Sequence, residues 1–340
     1  MKKTLSIILV LLFVLAVSIP LASCGMSINE PEVFESSPDL ELEINSTGDG
    51  YKLVGIGDCP AKDLIIGTYN TIPITEISAD AFMNCDSIES VTIGSMVKKI
   101  DARAFNSCKN LKSVTIGNGV TSIANYAFGG CKNLKSVKLG NNVRSISQSA
   151  FVGCTSLEYN KYDNAYYLGT DSNPYYALIK PTGTRLEIRS CIINESTRIF
   201  ANQAFYDYSI ESIEIPDSVI SISQACFGQC SFLSNLKIGN GVETIESGAF
   251  GNCWSLNNVV IGSNLRTIES GAFNACSKLK TVYYNGTSQQ WKKVSILTSN
   301  SSLLSNDAIK NATKYYYSAS MPSGSGRYWH YDSAGKPVAW

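Results

Sequence analysis

The stretch CKNLKSVTIGNGVTSIANYAFGG, from Cys108 to Gly130, is followed at once by a second version of itself, from Cys131 to Gly153. The same interval of 23 residues separates Cys85 from Cys108 and Cys131 from Cys154, and it returns between Cys230, Cys253 and Cys276. A repeat of this length marks a solenoid, because so short a unit cannot bury enough apolar surface to offset its own chain entropy and must lie against a neighbour. A length of 340 residues alone would allow two compact domains. The period overrides that division in favour of one elongated body.

Inside one unit, Leu111, Val114 and Ile116 with Ser113 and Thr115 between them predict a short strand whose alternate side chains face the core. Gly117 and Asn118-Gly119 predict a turn. Val120 and Ile123 then dip inward in a second short strand, and the spacing of Ile123, Ala127, Phe128 and Cys131 predicts one or two helical turns. An Ala-Phe pair precedes the cysteine in unit after unit, as at Ala104-Phe105, Ala127-Phe128, Ala249-Phe250 and Ala272-Phe273.

These recurring Ala-Phe-x-x-Cys-x-x-Leu and Val-x-Ile-Gly signatures, found from Ile74 to Tyr284, resemble the leucine-rich repeats of the BspA-like class of bacterial surface proteins. The resemblance implies an α/β repeat solenoid, right-handed, with a parallel β-sheet along one face, short helical turns and second short strands. It further implies a non-enzymatic module for protein–protein recognition or adhesion.

Residues 1–24 predict an export signal, with Lys2 and Lys3 ahead of an apolar run from Leu5 to Val17. Leu21-Ala22-Ser23-Cys24-Gly25 is similar to a bacterial lipobox. On that reading Cys24 carries lipid and anchors the chain to the outer face of the cytoplasmic membrane; the alternative is an ordinary signal peptide cut near Ala22. Residues 25–38, without Lys or Arg, predict a flexible tether. Residues 39–73 predict a capping β-hairpin, Leu40–Ile44 turning at Gly48-Asp49-Gly50 into Tyr51–Ile56, which covers the open end of the solenoid. The repeats occupy 74–285, with an irregular rung or insert at about 159–199 whose dense tyrosines are either a binding surface or a cover for exposed core. Residues 286–340 predict a C-terminal cap and an aromatic tail, its last piece a hairpin turning at Asp332–Gly335.

Charges balance at 28 against 28, so no bulk basic field points to nucleic acid. The single histidine, His330, lies between Trp329 and Tyr331 and predicts a packing or surface role, which leaves no His-paired nucleophile elsewhere. The periodic cysteines Cys85, Cys108, Cys131, Cys154, Cys230, Cys253 and Cys276 point the same way from stacked rungs about 4.8 Å apart. A disulfide needs Cβ atoms about 3.8 Å apart and turned towards each other. These seven therefore predict a buried structural ladder, while the pairing of Cys59, Cys191 and Cys226 stays open. Cys226-x-x-x-Cys230 has no accompanying histidine, so no metal site is expected, and Gly117, Gly140, Gly239 and Gly262 serve turns rather than a phosphate loop; no cofactor is expected.

What the period leaves free is the surface. The outward strand positions Thr92, Thr115, Lys138, Glu214, Lys237 and Tyr283 vary from rung to rung and are the candidate partner-binding residues, beside a constant small polar row of Ser90, Ser113, Ser136, Ser212, Asn235, Asn258 and Thr281. The rival expectation is glycan binding through Tyr328, Trp329, Tyr331 and Trp340, which resemble the aromatic hairpins of choline- or glucan-binding repeats. The partner is thus a protein or a glycan at the cell surface.

Overall fold

The computed structural model describes residues 35–57, 61–299 and 304–340. Cys24, Cys59, the export signal and most of the tether lie outside the described residues. The chain winds as a repeat β-solenoid of about ten turns with almost no helix.

Each regular unit carries a first strand of three or four residues. In Ser113–Ile116 the side chains of Val114 and Ile116 are buried and those of Ser113 and Thr115 face outward. Gly117 closes a turn with Val120, whose N–H donates to the Gly117 carbonyl at 3.2 Å, and the short strand Ser122–Ile123 follows. Neighbouring units pair in parallel one period apart, Val91 with Val114 and Val114 with Val137.

The structure corrects the expectation of helical turns. The α-helices of the described residues are Ser288–Trp291 and Asp307–Asn311, both beyond the regular repeats. In the arc before each cysteine the amides alternate: those of Arg103, Phe105 and Ser107 donate to Asn125, Ala127 and Gly129 of the next rung, while those of Ala104, Asn106 and Cys108 close local turns. A helix would send every amide to the carbonyl four residues back. Here half are taken by the neighbouring rung, and left-handed residues such as Arg103 (φ 58°) and Ser107 (φ 61°) turn the backbone to allow it. The apolar spacing suits both arrangements, since either one buries Ala104, Phe105 and Cys108.

Two aromatic stacks run through the core. Phe82, Phe105, Phe128 and Phe151 lie 4.8, 5.2 and 5.5 Å apart by ring centroids, and Phe205, Phe227, Phe250 and Phe273 lie 5.1, 5.5 and 5.2 Å apart. These spacings follow the stacking of rungs. The nine described cysteines are free thiols, Cys191 and Cys226 among them. From Cys108 onward the periodic cysteines do more than fill space: the Cys108 Sγ donates to the Phe82 carbonyl at 3.1 Å, and Cys131 and Cys154 repeat the bond to Phe105 and Phe128 at 3.0 Å. Cys85, at the start of the row, is half-buried and meets the Ser87 hydroxyl instead.

A second correction concerns the sheet. The first-strand ladder is divided, not continuous: Asp63–Ile66, Ser90–Ile93, Ser113–Ile116 and Ser136–Lys138 form a four-stranded parallel sheet. A seven-stranded sheet then starts at Ser212–Ile215 and runs through Asn235–Ile238, Asn258–Ile261 and Thr281–Tyr284 to the C-terminal strands. Between them stands an insert sheet, Asn160–Tyr162, Ala165–Leu168 and Ala177–Pro181 antiparallel, joined to Ile199–Phe200. At the N-terminal end, Glu41–Ile44 pairs antiparallel with Tyr51–Gly55, which pairs in parallel with Ile72–Ile77 and so joins the second-strand ladder.

Candidate recognition cleft

The outward row follows the division of the sheet. In the first half Ile65, Thr92, Thr115 and Lys138 stand side by side in register. Lys138 is committed to the insert, its Nζ 2.6 Å from Asp171. In the second half the row is Glu214, Lys237, Val260, Tyr283 and Tyr315.

The tail lies against this second row. Thr313–Tyr317 continues the sheet beside Thr281–Tyr284, and the loop 318–327 then leads into Tyr328–Tyr331, which pairs with Tyr316 and Tyr317 at only two positions. Its contacts carry it back across the sheet face. The Trp329 ring sits 5.5 Å from Tyr283 and 5.3 Å from Tyr317, and its Nε1 donates to the Tyr284 carbonyl at 2.9 Å. Two strands further back, the Lys237 ammonium lies over the Tyr331 ring, 5.8 Å from its centre. Pro337–Ala339 completes the hairpin opposite Trp329, His330 and Tyr331.

These contacts regroup the predicted residues. Trp329 is fully buried, which corrects its expected role as a sugar platform: its ring faces are used inside the protein. Trp340 stacks on His330 at 3.7 Å and donates to Ser318, while Tyr328 lies next to the Gly326 loop. Tyr331 alone among the tail candidates lines, with the sheet candidates Glu214, Lys237 and Tyr283, a cleft of about 760 Å³.

The floor of the cleft is Ser212, Asn235 and Asn258 from the constant row and Glu214, Lys237, Val260 and Tyr283 from the variable one. One wall is Ser190–Ile193 with Glu195, set in place by a parallel bridge between Ser190 and Ser212. The other is Tyr331 with Gly335, Lys336 and Pro337. Sequence reasoning missed Asn235 and Asn258 because a constant polar row reads as scaffold. It missed the walls because they come from an insert and a tail outside the period.

Electrostatically the site is self-contained. Lys237 makes an ion pair with Glu214, and that hydrogen bond raises the lysine above its usual range. Burial raises the Tyr331 phenol. Cys191, on the wall, is pushed up to about 12 by burial, so its sulfur is a thiol and not a nucleophilic thiolate at neutral pH. Among the described residues no three His, Cys, Asp or Glu side chains come together as metal ligands.

The fold and cleft define a class: a repeat solenoid whose core positions are used up by stacking and whose distinctive chemistry lies on its outward face. The chain matches the family model of the BspA type leucine rich repeat region in six copies, over residues 71–172 and 185–319, and it belongs to that family. Among solved structures it is similar to a leucine rich cell surface protein from Faecalibacterium prausnitzii A2-165, with 19% identity, a TM-score of 0.35, and coverage of 78% of this chain and 98% of that one. A leucine-rich repeat protein from Bacteroides ovatus ATCC 8483 shares 18% identity, with a TM-score of 0.31 and coverage of 82% and 98%. The leucine rich repeat protein of T. pallidum shares 19%, with a TM-score of 0.28 and coverage of 71% and 88%. No curated protein matches the chain.

Proposed function

We propose that the protein is a non-enzymatic recognition module, exported and held by lipid on Cys24 at the outer face of the bacterial cytoplasmic membrane, which captures a protein partner through its outward strand row. The observation that supports this most is the contrast along each strand. Inward positions repeat and are buried, whereas Thr92, Thr115, Lys138, Glu214, Lys237 and Tyr283 change from rung to rung on a constant frame. The cleft offers no activated nucleophile, since the Cys191 thiol is protonated and Glu214 is held by Lys237.

Capture of extracellular proteins by the full chain, compared with a Lys138→Ala, Lys237→Ala, Tyr283→Ala variant, tests the row. Weakened capture supports it, and unchanged capture removes it. Mass spectrometry of the mature N-terminus reads the lipid on Cys24, and Cys24→Ser is expected to release the protein from the cell. A second reading, glycan binding through the tail, is supported by one observation: Tyr331 and Lys336 wall the cleft.

A further inference from the structure

We infer that the cleft between the second sheet and the C-terminal hairpin is a binding site for a neutral oligosaccharide, held by the Asn235 and Asn258 amides and the Tyr331 ring; this rests on the glycan reading and changes where and how the sugar is held. The floor of the site is the face of a sheet, from its edge strand Ser212–Ile215 inward. Asn235–Ile238 and Asn258–Ile261 are laddered on both sides, and the edge strand Ser212–Ile215 pairs with Asn235–Ile238 on one side and is bridged to the insert at Ser190 on the other, so over most of the floor side chains meet a ligand. An extended peptide gains affinity from main-chain bonds along a free edge; here the edge strand is bridged to the insert at Ser190–Ser212, and the two inner strands of the floor present no edge.

Charge narrows the class further. Lys237 and Glu214 neutralise one another, and the remaining ionised groups of the lining, Glu195 and Lys336, are opposite in sign and on opposite walls. The cleft therefore has no surplus charge with which to select an anion or a cation. What it offers is amide and hydroxyl chemistry. Asn235 and Asn258 are register neighbours on adjacent strands. The Asn235 Nδ2 donates to Ser234 at 3.0 Å, which leaves its Oδ1 available. The Asn258 amide has no hydrogen-bond partner among the described residues. A primary amide supplies donors and acceptors side by side, which matches a hydroxyl that must both donate and accept. The Tyr331 ring and the half-buried Tyr283 add flat apolar surface with polar tips, suited to the C–H face of a pyranose. A volume of about 760 Å³ falls in the range of small-ligand sites.

The test is titration calorimetry on the full chain with neutral hexasaccharides of glucose and of N-acetylglucosamine, sulfated and sialylated oligosaccharides, and an unfolded peptide mixture, each at 0.15 and 0.5 M NaCl. At least one neutral hexasaccharide is expected to bind with a Kd that salt does not change. Asn235→Ala with Asn258→Ala is expected to weaken it about tenfold or more, the loss of about two side-chain hydrogen bonds. Tyr331→Ala should also weaken it, and Thr92→Ala with Thr115→Ala, on the first sheet, should leave it unchanged. The asparagine pair lies on the sheet surface, so matching thermal melts separate a binding loss from a folding loss. Binding of charged sugars alone, lost at high salt, would keep the glycan reading and overturn the neutral ligand. Neutral binding insensitive to the asparagine pair would overturn the cleft. Binding of peptide alone, or of none of these probes, would overturn the glycan reading itself.

Discussion

The buried thiol of Cys131 shows how much a single repeated residue does. It touches the rungs on both sides: its Sγ donates to the Phe105 carbonyl, and the Cys108 and Cys154 thiols lie within hydrogen-bonding reach before and after it. The adjacent Cys108 thiol, with burial, pushes Cys131 up to about 12, and burial, with the Asp207 carboxylate nearby, takes Cys230 to about 12. In the folded protein at pH 8, Cys131 and Cys230 should therefore resist iodoacetamide and become labelled only on denaturation, as followed by peptide mass spectrometry; native labelling would contradict the buried ladder. Cys131→Ala removes the donor and leaves a small void, at a cost of about 1–2 kcal/mol in chemical denaturation. Glu246 argues in the opposite direction. Burial raises its carboxyl above 4.5, although the Ser221 hydroxyl and the Gln224 amide both donate to it. A carboxyl whose folded pKa is raised carries a cost when ionised, and the cost is relieved as pH falls through the folded value towards 4.5. Glu246→Gln keeps an acceptor for Gln224 and removes the charge. It should raise the melting temperature by about 2 °C at pH 8, with the gain shrinking towards pH 4.5. A lower melting temperature at pH 8 would show that the charge itself is needed.

At the scale of the element, the tight turn after each first strand limits substitution more than its exposure suggests. A Cβ on Gly119 would sit 1.8 Å from the Ser95 carbonyl oxygen, and one on Gly241 the same distance from that of Asp217. Both neighbours are backbone of the preceding rung and cannot swing aside. Gly335, in the tail hairpin, has a left-handed φ of 74° but open space around it. Gly119→Ala and Gly241→Ala are thus expected to cost about 3 kcal/mol each. Gly335→Ala should cost only about 1 kcal/mol, the usual penalty for a side chain at positive φ. Equal losses in denaturant melts would refute the contact between rungs. The sequence pattern predicted these turns and both short strands, because Val114, Ile116, Val120 and Ile123 fix which side faces in. It could not distinguish a helical arc from alternating turns. The spacing of Ala127, Phe128 and Cys131 records burial and leaves open where each amide sends its hydrogen, and that choice belongs to the neighbouring rung.

Across the whole molecule the period shows where the core is and leaves most of the candidate site unread. Glu214, Lys237 and Tyr283 were visible as an outward row, but the closure of the cleft depends on Tyr331 meeting Lys237 from a hairpin about a hundred residues away in sequence. No periodicity encodes that contact. The same limit applies to the seam. In a solenoid, stability is close to a sum of rung terms and nearest-neighbour interfaces, so the weakest interface decides whether the array melts as one. Here both ladders stop near the insert. The halves are joined through it by the Lys138–Gly169 and Ser190–Ser212 bridges, by the bond from the Asn202 amide to Ile146, and by buried tyrosines. Tyr167 lies at the centre of that junction, fully buried, with its ring edge-on to Tyr175 at 5.5 Å and its hydroxyl accepting from the Asn194 amide. Tyr167→Ala and Phe250→Ala each remove a fully buried ring, at about 3–5 kcal/mol. Their consequences should differ: calorimetry should show one transition, shifted down, for Phe250→Ala inside the regular array, and two separated transitions for Tyr167→Ala, as the halves uncouple. A single transition in both variants would mean that the continuous core, rather than the insert, carries the cooperativity between the two sheets.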